Sequence, residues 1–418
     1  MVWHILEKIY KLMTRYKEDF TKHVLSIREE GRYRKFLNLS RSAGRFPYST
    51  LEDNGKEVIM WCINDYLGMG QKEFVIEAAV KTLRSMGSGA GGTRNIGGNN
   101  SKIVELEKLL ARFHNKESAL VFTSGYVAND TTLSTLAKIL PDLVFFSDED
   151  NHASIIHGIR NSRAEKRIYK HLDIMSLRKA LESVDIARPK VIVFESVYSM
   201  DGLESPIEEI CKLADEFNAM TYIDEVHTVG LYGNNGSGIA NLRGCADKID
   251  IIQGTLGKAI GVIGGYISAS DEIIEAIRLS APGFIFTTAI SPSTAAAAIA
   301  SIEHIDRNSE DRKLQSDRVN LLKNMLRKEN IKFIENNSHI IPIIIGDPIL
   351  AKKASDMLLN KYSIFVQHIN FPTVPKGTER LRFTPTPCHT EDMVFELVKA
   401  LTDVFTILKI KQKEIVAA

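Results

Sequence analysis

Between about residues 118 and 270 the chain alternates short apolar runs with stretches of helical period. The runs "SALVFTSG", "LVFFSDE", "KVIVFES", "MTYIDEV", "IDIIQG" and "GGYISAS" are rich in Val, Ile, Phe and Tyr and end in turn residues, which predicts buried strands. Amphipathic segments such as "PIEEICKLADEFN" lie between several of them, with Pro206 suited to a first helical turn. Strand and helix in alternation predict an α/β domain with a mostly parallel sheet covered on both faces. Ligands in such sheets bind at the carboxyl ends of the strands, so the residues just after each run are the ones to inspect. The Ala-rich "STAAAAIASIEHI" predicts a long helix leaving that domain. Beyond about residue 305 the pattern becomes helix, strand pair, helix, a smaller α+β domain ending near residue 410. The expected division is an N-terminal segment 1–60, a large domain 61–304 and a small domain 305–418.

The first 20 residues have apolar positions at helical spacing but carry Glu7, Glu18 and Asp19. They resemble neither an acid-poor organelle transit peptide nor a secretory signal, so an amphipathic first helix is expected. A length of 418 residues accommodates two cores. The formal charge of +1 gives no reason to expect a nucleic-acid or anionic-membrane partner. Cys62, Cys211, Cys245 and Cys388 form no CxxC and no metal-ligand spacing, which suits a reducing compartment and predicts no metal. No apolar run approaches the roughly 20 residues needed to span a bilayer. The cytoplasm is the expected location.

The stretch "GTLGKAIG" sets Lys258 behind two glycines at the end of an apolar run. A P-loop requires four residues between its glycines and then Lys and Ser or Thr. Only two residues separate Gly254 from Gly257, and Ala259 follows Lys258. The remaining reading is a lysine whose amine must be reached by a carbonyl compound. Four further strand ends bear on it. "FTSGYVAND" ends a strand at Ser124 and Gly125 and opens a helix at Tyr126, where free backbone N–H groups suit a phosphate. Alone, the same turn serves equally as a tight connection. "YIDEVH" puts Asp224 at the end of a very apolar strand and His227 in the turn beyond it. "SDEDNHASIIHGIR" places Ser147 and His152 after another strand, His152 at a helix start where an imidazole stacks on a flat ring or simply packs. "ESVYSMDG" contributes Ser196 and Ser199, and "QGTLGK" contributes Thr255 beside Lys258. A phosphate-binding turn, a strand-end acid, a flat-ring partner and an isolated lysine together fit one cofactor, pyridoxal phosphate. The lysine bonds its aldehyde, the acid keeps the ring nitrogen protonated, and the ring becomes an electron sink.

In this order and spacing these residues resemble the fold type I pyridoxal phosphate enzymes, and among them the α-oxoamine synthases, from about Gly31 to Asp392. "WCINDYLGMG", "GAGGTRNIGG", "NHASIIHGIRNSRAEKRIYKH", "PGFIFTT" and "INFPTVPKGTERLRFTPTP" are similar to the member that joins glycine to succinyl-CoA in the first step of tetrapyrrole synthesis. Sister enzymes, 2-amino-3-ketobutyrate CoA ligase and 8-amino-7-oxononanoate synthase, share the lysine and aspartate motifs and are the alternatives. The resemblance implies a mostly parallel seven-stranded sheet and a homodimer with shared active sites. It implies that Lys258 carries the cofactor, Asp224 pairs with the ring nitrogen, His227 contacts the ring oxygen with Ser199 nearby, and His152 stacks on the ring. Ser124, Gly125, Tyr126 and Thr255 would hold the phosphate, with Thr287 and Thr288 from the other chain. Asn64 and Arg382 would bind the glycine carboxylate. Arg34, Thr93 and Asn95 would meet the succinyl group, and Ser147, Lys166 and Thr373 would line the acyl-CoA path. The chain departs from many relatives at Gly97–Asn99 and at His368, both beside matched residues.

Overall fold

The computed structural model describes residues 2–412. A helix spans Val2–Glu29, as the N-terminal spacing predicts. Three short strands follow, β1 (Leu39–Ser40), β2 (Tyr48–Leu51) and β3 (Lys56–Met60). The central sheet is built from β4 (Ser118–Phe122), β5 (Val144–Asp148), β6 (Glu165–Tyr169), β7 (Lys190–Glu195), β8 (Met220–Asp224), β9 (Ile251–Thr255) and β10 (Gly265–Ala269). These seven strands lie in the order β4-β10-β9-β8-β7-β5-β6. Pairing is parallel from β9 through β8, β7 and β5 to β6, and β10 runs against both of its neighbours. The exception has a physical reason. The link from β9 to β10 is too short for a crossover helix, so the chain must return antiparallel. Lys258 sits on that link.

Coverage on both faces explains why β5, β7, β9 and β10 read as continuous apolar runs and are buried throughout. One face packs Val144, Ile192, Phe194 and Ile223 against the helix Ile207–Glu216. The other packs Phe145, Val191, Tyr222 and Ile251 beneath the helices Gly125–Ile139 and Ala153–Ser162. Pro206 stands one residue earlier than its sequence position suggests. It is the residue before the first helical turn, with ψ at 71°.

The Ala-rich segment is the helix Pro292–Arg307. Beyond it come the helices Glu310–Lys328, Pro348–Tyr362 and Glu391–Leu408. With them are β11 (Ile341–Ile344), β12 (Ile364–Phe365), β13 (His368–Ile369) and β14 (Arg380–Phe383). The strands β11, β14 and β13 form an antiparallel sheet. Strand β12 instead pairs in parallel with β3 and completes a four-stranded sheet with β1 and β2. That pairing carries Trp61 into the C-terminal core beside Leu322, Phe383 and Leu397. It also delivers Asn64 and Tyr66, a few residues on, to the mouth of the central sheet.

Candidate active site

Each strand end that the sequence singled out opens on the same side of the sheet. A cavity of about 130 Å³ is lined by Gly125, Asn129, His152, Asp224, His227 and Lys258, with Tyr126, Thr255 and Glu195 completing it. It shares His152, His227 and Lys258 with a larger space of about 770 Å³ that reaches Asn64, Ser199, Thr373 and Arg382. Lys258 is half-buried at the junction of the two.

Asp224 and Glu195 are adjacent across β8 and β7 and are 4% and 2% exposed. Asp224 accepts from Asn129 Nδ2 at 2.7 Å and from Val226 N–H at 2.9 Å. Burial pushes its pKa up to about 6, against the pull of those two bonds and of the Lys258 amine. Glu195 accepts from His152 N–H at 2.7 Å, and burial followed by the Asp224 carboxylate drives its pKa well up. Glu195 is thereby held as the neutral acid, and the charge that remains is on Asp224, which a positive group in the cavity would meet. A protonated ring nitrogen fits.

His227, in the turn after β8, has Nδ1 2.8 Å from the Tyr66 hydroxyl. Arg382 Nη2 donates to the same hydroxyl at 3.1 Å, and its Nε donates to Ser199 O at 2.7 Å. The phenol accepts from arginine, and its one hydrogen has two acceptors in reach, His227 Nδ1 and, at 3.4 Å, Asn64 Oδ1. Burial, reinforced by Lys258 and Arg382, holds His227 well below the usual histidine range, hence neutral. In the tautomer that accepts at Nδ1, neutral His227 carries its proton on Nε2, a donor suited to a ring oxygen.

At the other end, Ser124 caps the helix Gly125–Ile139, its hydroxyl accepting from Val127 N–H. The first-turn amides beyond it have no acceptor in the helix and lie beside Thr255. A Cβ on Gly125 would come within 3.3 Å of Thr255 Oγ1, so glycine lets that hydroxyl approach the helix start. This cradle fits a phosphate. Gly254 and Gly261, on either side of Lys258, answer to packing instead. A Cβ on Gly254 would stand 2.3 Å from the Tyr266 ring and hydroxyl, and one on Gly261 would stand 2.2 Å from Gly70 N.

Other expected residues lie apart from this cluster. Thr93 bridges Thr288. With Asn95 and Thr287 it occupies a different surface, around the turn Arg94–Gly98. Gly98 is held there by closeness to Gly92 O, which a Cβ would meet at 2.2 Å, and Asn99 accepts from Arg94 Nε at 2.9 Å. Arg34 is half-buried and its Nη2 donates to His368 O at 3.3 Å, next to β13. Ser147 is buried in β5, where its hydroxyl donates to Asp148 O and accepts from Asn151. Lys166 is exposed on β6. Tyr66, Asn129, Ser154 and Glu195 went unread in the sequence, and all of them belong to the site. Asn129 had a signal, since it falls one helical turn after Gly125 on the same face.

A family model described as aminotransferase class I and II matches residues 56–401. The 5-aminolevulinate synthase of Rickettsia bellii is 58% identical over 399 residues, 96% of each chain. The 5-aminolevulinate synthase 1 of Cereibacter sphaeroides is 50% identical over 394 residues, 94% of this chain and 97% of that one. Among solved structures, a serine palmitoyltransferase from S. paucimobilis with a bound PLP–myriocin aldimine superimposes with a TM-score of 0.87. It is 26% identical over 96% of this chain and 100% of that one. A cavity of this geometry, a family match over most of the chain and these identities have one reading: the chain belongs to the aminotransferase class I and II family and, within it, to the 5-aminolevulinate synthases.

Proposed function

We propose the following division of labour in this pyridoxal phosphate-dependent acyltransferase, which condenses glycine with succinyl-CoA to 5-aminolevulinate, coenzyme A and carbon dioxide, the entry to haem synthesis. Pyridoxal phosphate, when bound, supplies an aldehyde that takes up amines and a ring that stores the electron pair released at the adjoining carbon. Lys258 holds the aldehyde between turnovers and, once free, takes the proton from glycine Cα. Asp224 stays ionised against the ring nitrogen and keeps it protonated. His227 would donate to the ring oxygen, with Ser199 at hand, and His152 would face the ring. Ser124, Gly125, Tyr126 and Thr255 hold the phosphate. Arg382 pairs with the glycine carboxylate, helped by Asn64. Two of its nitrogens are already fixed by Ser199 O and Tyr66, so the guanidinium has one orientation, and that orientation decides which Cα bond is cleaved.

On the acyl side, Arg34, Thr93 and Asn95 meet the succinyl carboxylate, and Ser147, Lys166 and Thr373 line the path of the thioester. The lone chain supports a shared site, because Thr93 and Thr288 are bridged to one another on a surface away from the Lys258 cavity. In a homodimer that surface reaches across, bringing Thr287 and Thr288 to the neighbouring phosphate. Residues 61–304 then form the cofactor domain and 305–418 the small domain, whose four-stranded sheet is completed by strands of the segment 1–60. Among the described residues no helix is long and apolar enough to cross a membrane, and we place the enzyme in the cytoplasm. The observation that carries this reading is the convergence of Lys258, Asp224, His227 and His152 on one cavity opening toward Arg382. Product identification with glycine and a panel of acyl-CoAs tests it. Succinyl-CoA should be strongly preferred; equal use of acetyl-CoA or a long acyl-CoA would overturn the substrate assignment.

A further inference from the structure

We propose that Asn129 is a positioning residue that ties together the two side chains set against the cofactor ring, Asp224 at its nitrogen and His152 at its face. The inference rests on the roles given to those two residues above. Asn129 is 1% exposed on the helix Gly125–Ile139 and looks down on the end of β8. Its Nδ2 donates to Asp224 Oδ2 at 2.7 Å and to Ser154 Oγ at 3.0 Å. Its Oδ1 accepts from the Tyr222 hydroxyl at 2.8 Å. Tyr222 and Asp224 are two apart on β8 and therefore share a face. The ionised carboxylate only accepts, so it fixes the sense of the amide, and the phenol supplies the hydrogen that satisfies Oδ1. Turned over, Asn129 would aim its carbonyl at a buried carboxylate.

The chain of donors continues. Ser154 Oγ accepts from Asn129 and passes its own hydrogen to His152 Nδ1 at 2.7 Å, where Ser154 N–H also donates at 3.2 Å. His152 is thereby held with Nδ1 accepting and its ring turned to the cavity. One amide orients a carboxylate and an imidazole that belong to different strand ends.

The test compares holoenzyme variants by two readouts. Glycine Cα–H exchange in deuterated water follows the electron sink, and visible circular dichroism of the bound cofactor follows how its ring is held. Asn129→Leu should slow exchange about 10- to 100-fold, the ratio implied by losing one hydrogen bond to a charged group, and should alter the dichroism. Ser154→Ala should alter the dichroism while exchange stays within about twofold. Tyr222→Phe should repeat the Asn129→Leu pattern more weakly, and it decides the matter if Asn129→Leu does not fold. A folded, cofactor-loaded Asn129→Leu with wild-type exchange and dichroism, beside an impaired Asp224→Asn, overturns this inference alone. Wild-type exchange in Asp224→Asn overturns the Asp224 role and the inference with it.

Discussion

The Tyr66 hydroxyl stands 2.8 Å from His227 Nδ1, and this contact links substrate recognition to cofactor electronics. The same oxygen accepts from Arg382, so one hydroxyl joins the arginine proposed for the amino-acid carboxylate to the histidine proposed for the ring oxygen. Tyr66→Phe removes both bonds while keeping the ring packed against His339 at 4.3 Å. The glycine KM should rise about tenfold, the effect of one hydrogen bond to a charged group. Steady-state kinetics decide it, and an unchanged KM would remove Tyr66 from the recognition chain.

Much of this site was legible because its parts are local. A strand end and the two or three residues after it are contiguous in sequence, which is why Ser124, His152, Ser199, Asp224 and Lys258 stood out. Tyr66 did not, because its place depends on β3 pairing with β12, some 300 residues away, and no periodicity encodes that. Asn129 and Glu195 looked like ordinary polar residues in a helix and at a strand end. Only the packing shows that they face a buried carboxylate. The direction of β10 was within reach of the sequence, since the link between the runs "IDIIQG" and "GGYISAS" is too short for a crossover helix, but the apolar run by itself does not show it.

The shared site is tested by mixing chains. Lys258→Ala lacks its own amine, and under the proposed shared site a Thr287/Thr288 double alanine variant should fail to complete its neighbour's phosphate site. Each homodimer should be nearly inactive. Hybrids contain one site with both parts intact and should recover up to about a quarter to a half of wild-type activity, set by random pairing of chains. Hybrids without activity, despite demonstrated subunit exchange, would contradict the shared site, since threonines that serve only their own chain cannot complement.

Arg34 is the residue proposed to offer a forked cation to the succinyl carboxylate. Arg34→Leu should raise the succinyl-CoA KM by about 10- to 100-fold and narrow its advantage over butyryl-CoA, because charge-assisted bonds contribute roughly 1.5–3 kcal/mol each. The comparison is kcat/KM for the two thioesters. A variant that keeps the wild-type ratio would show that Arg34 acts only on the His368 carbonyl.

Acid stability has an identifiable source. His389 is buried 4.0 Å from the Trp61 ring, its Nδ1 accepting from Thr386 N–H and its Nε2 donating to Met60 O. Burial pulls its pKa down to about 3, so the folded chain holds it neutral. The unfolded chain protonates near 6.5, and the stabilisation is therefore complete above that pH and lost as pH falls toward 3. By pH 4.5 the loss is on the order of 2–3 kcal/mol. His389→Gln should be less stable than wild type at pH 7.5 but lose stability less steeply between pH 6.5 and 4.5. Urea unfolding at several pH values measures both, and parallel pH profiles would refute the assignment.

The most direct test of the site is covalent. The purified protein loaded with pyridoxal phosphate is reduced with borohydride, digested and mapped by mass spectrometry. The pyridoxyl group should be found on Lys258, in the peptide containing "GTLGKAIG", and Lys258→Ala should yield no labelled peptide. A label on any other lysine of the native enzyme, or undiminished labelling of Lys258→Ala, would contradict the assignment of Lys258 as the residue around which the site is built.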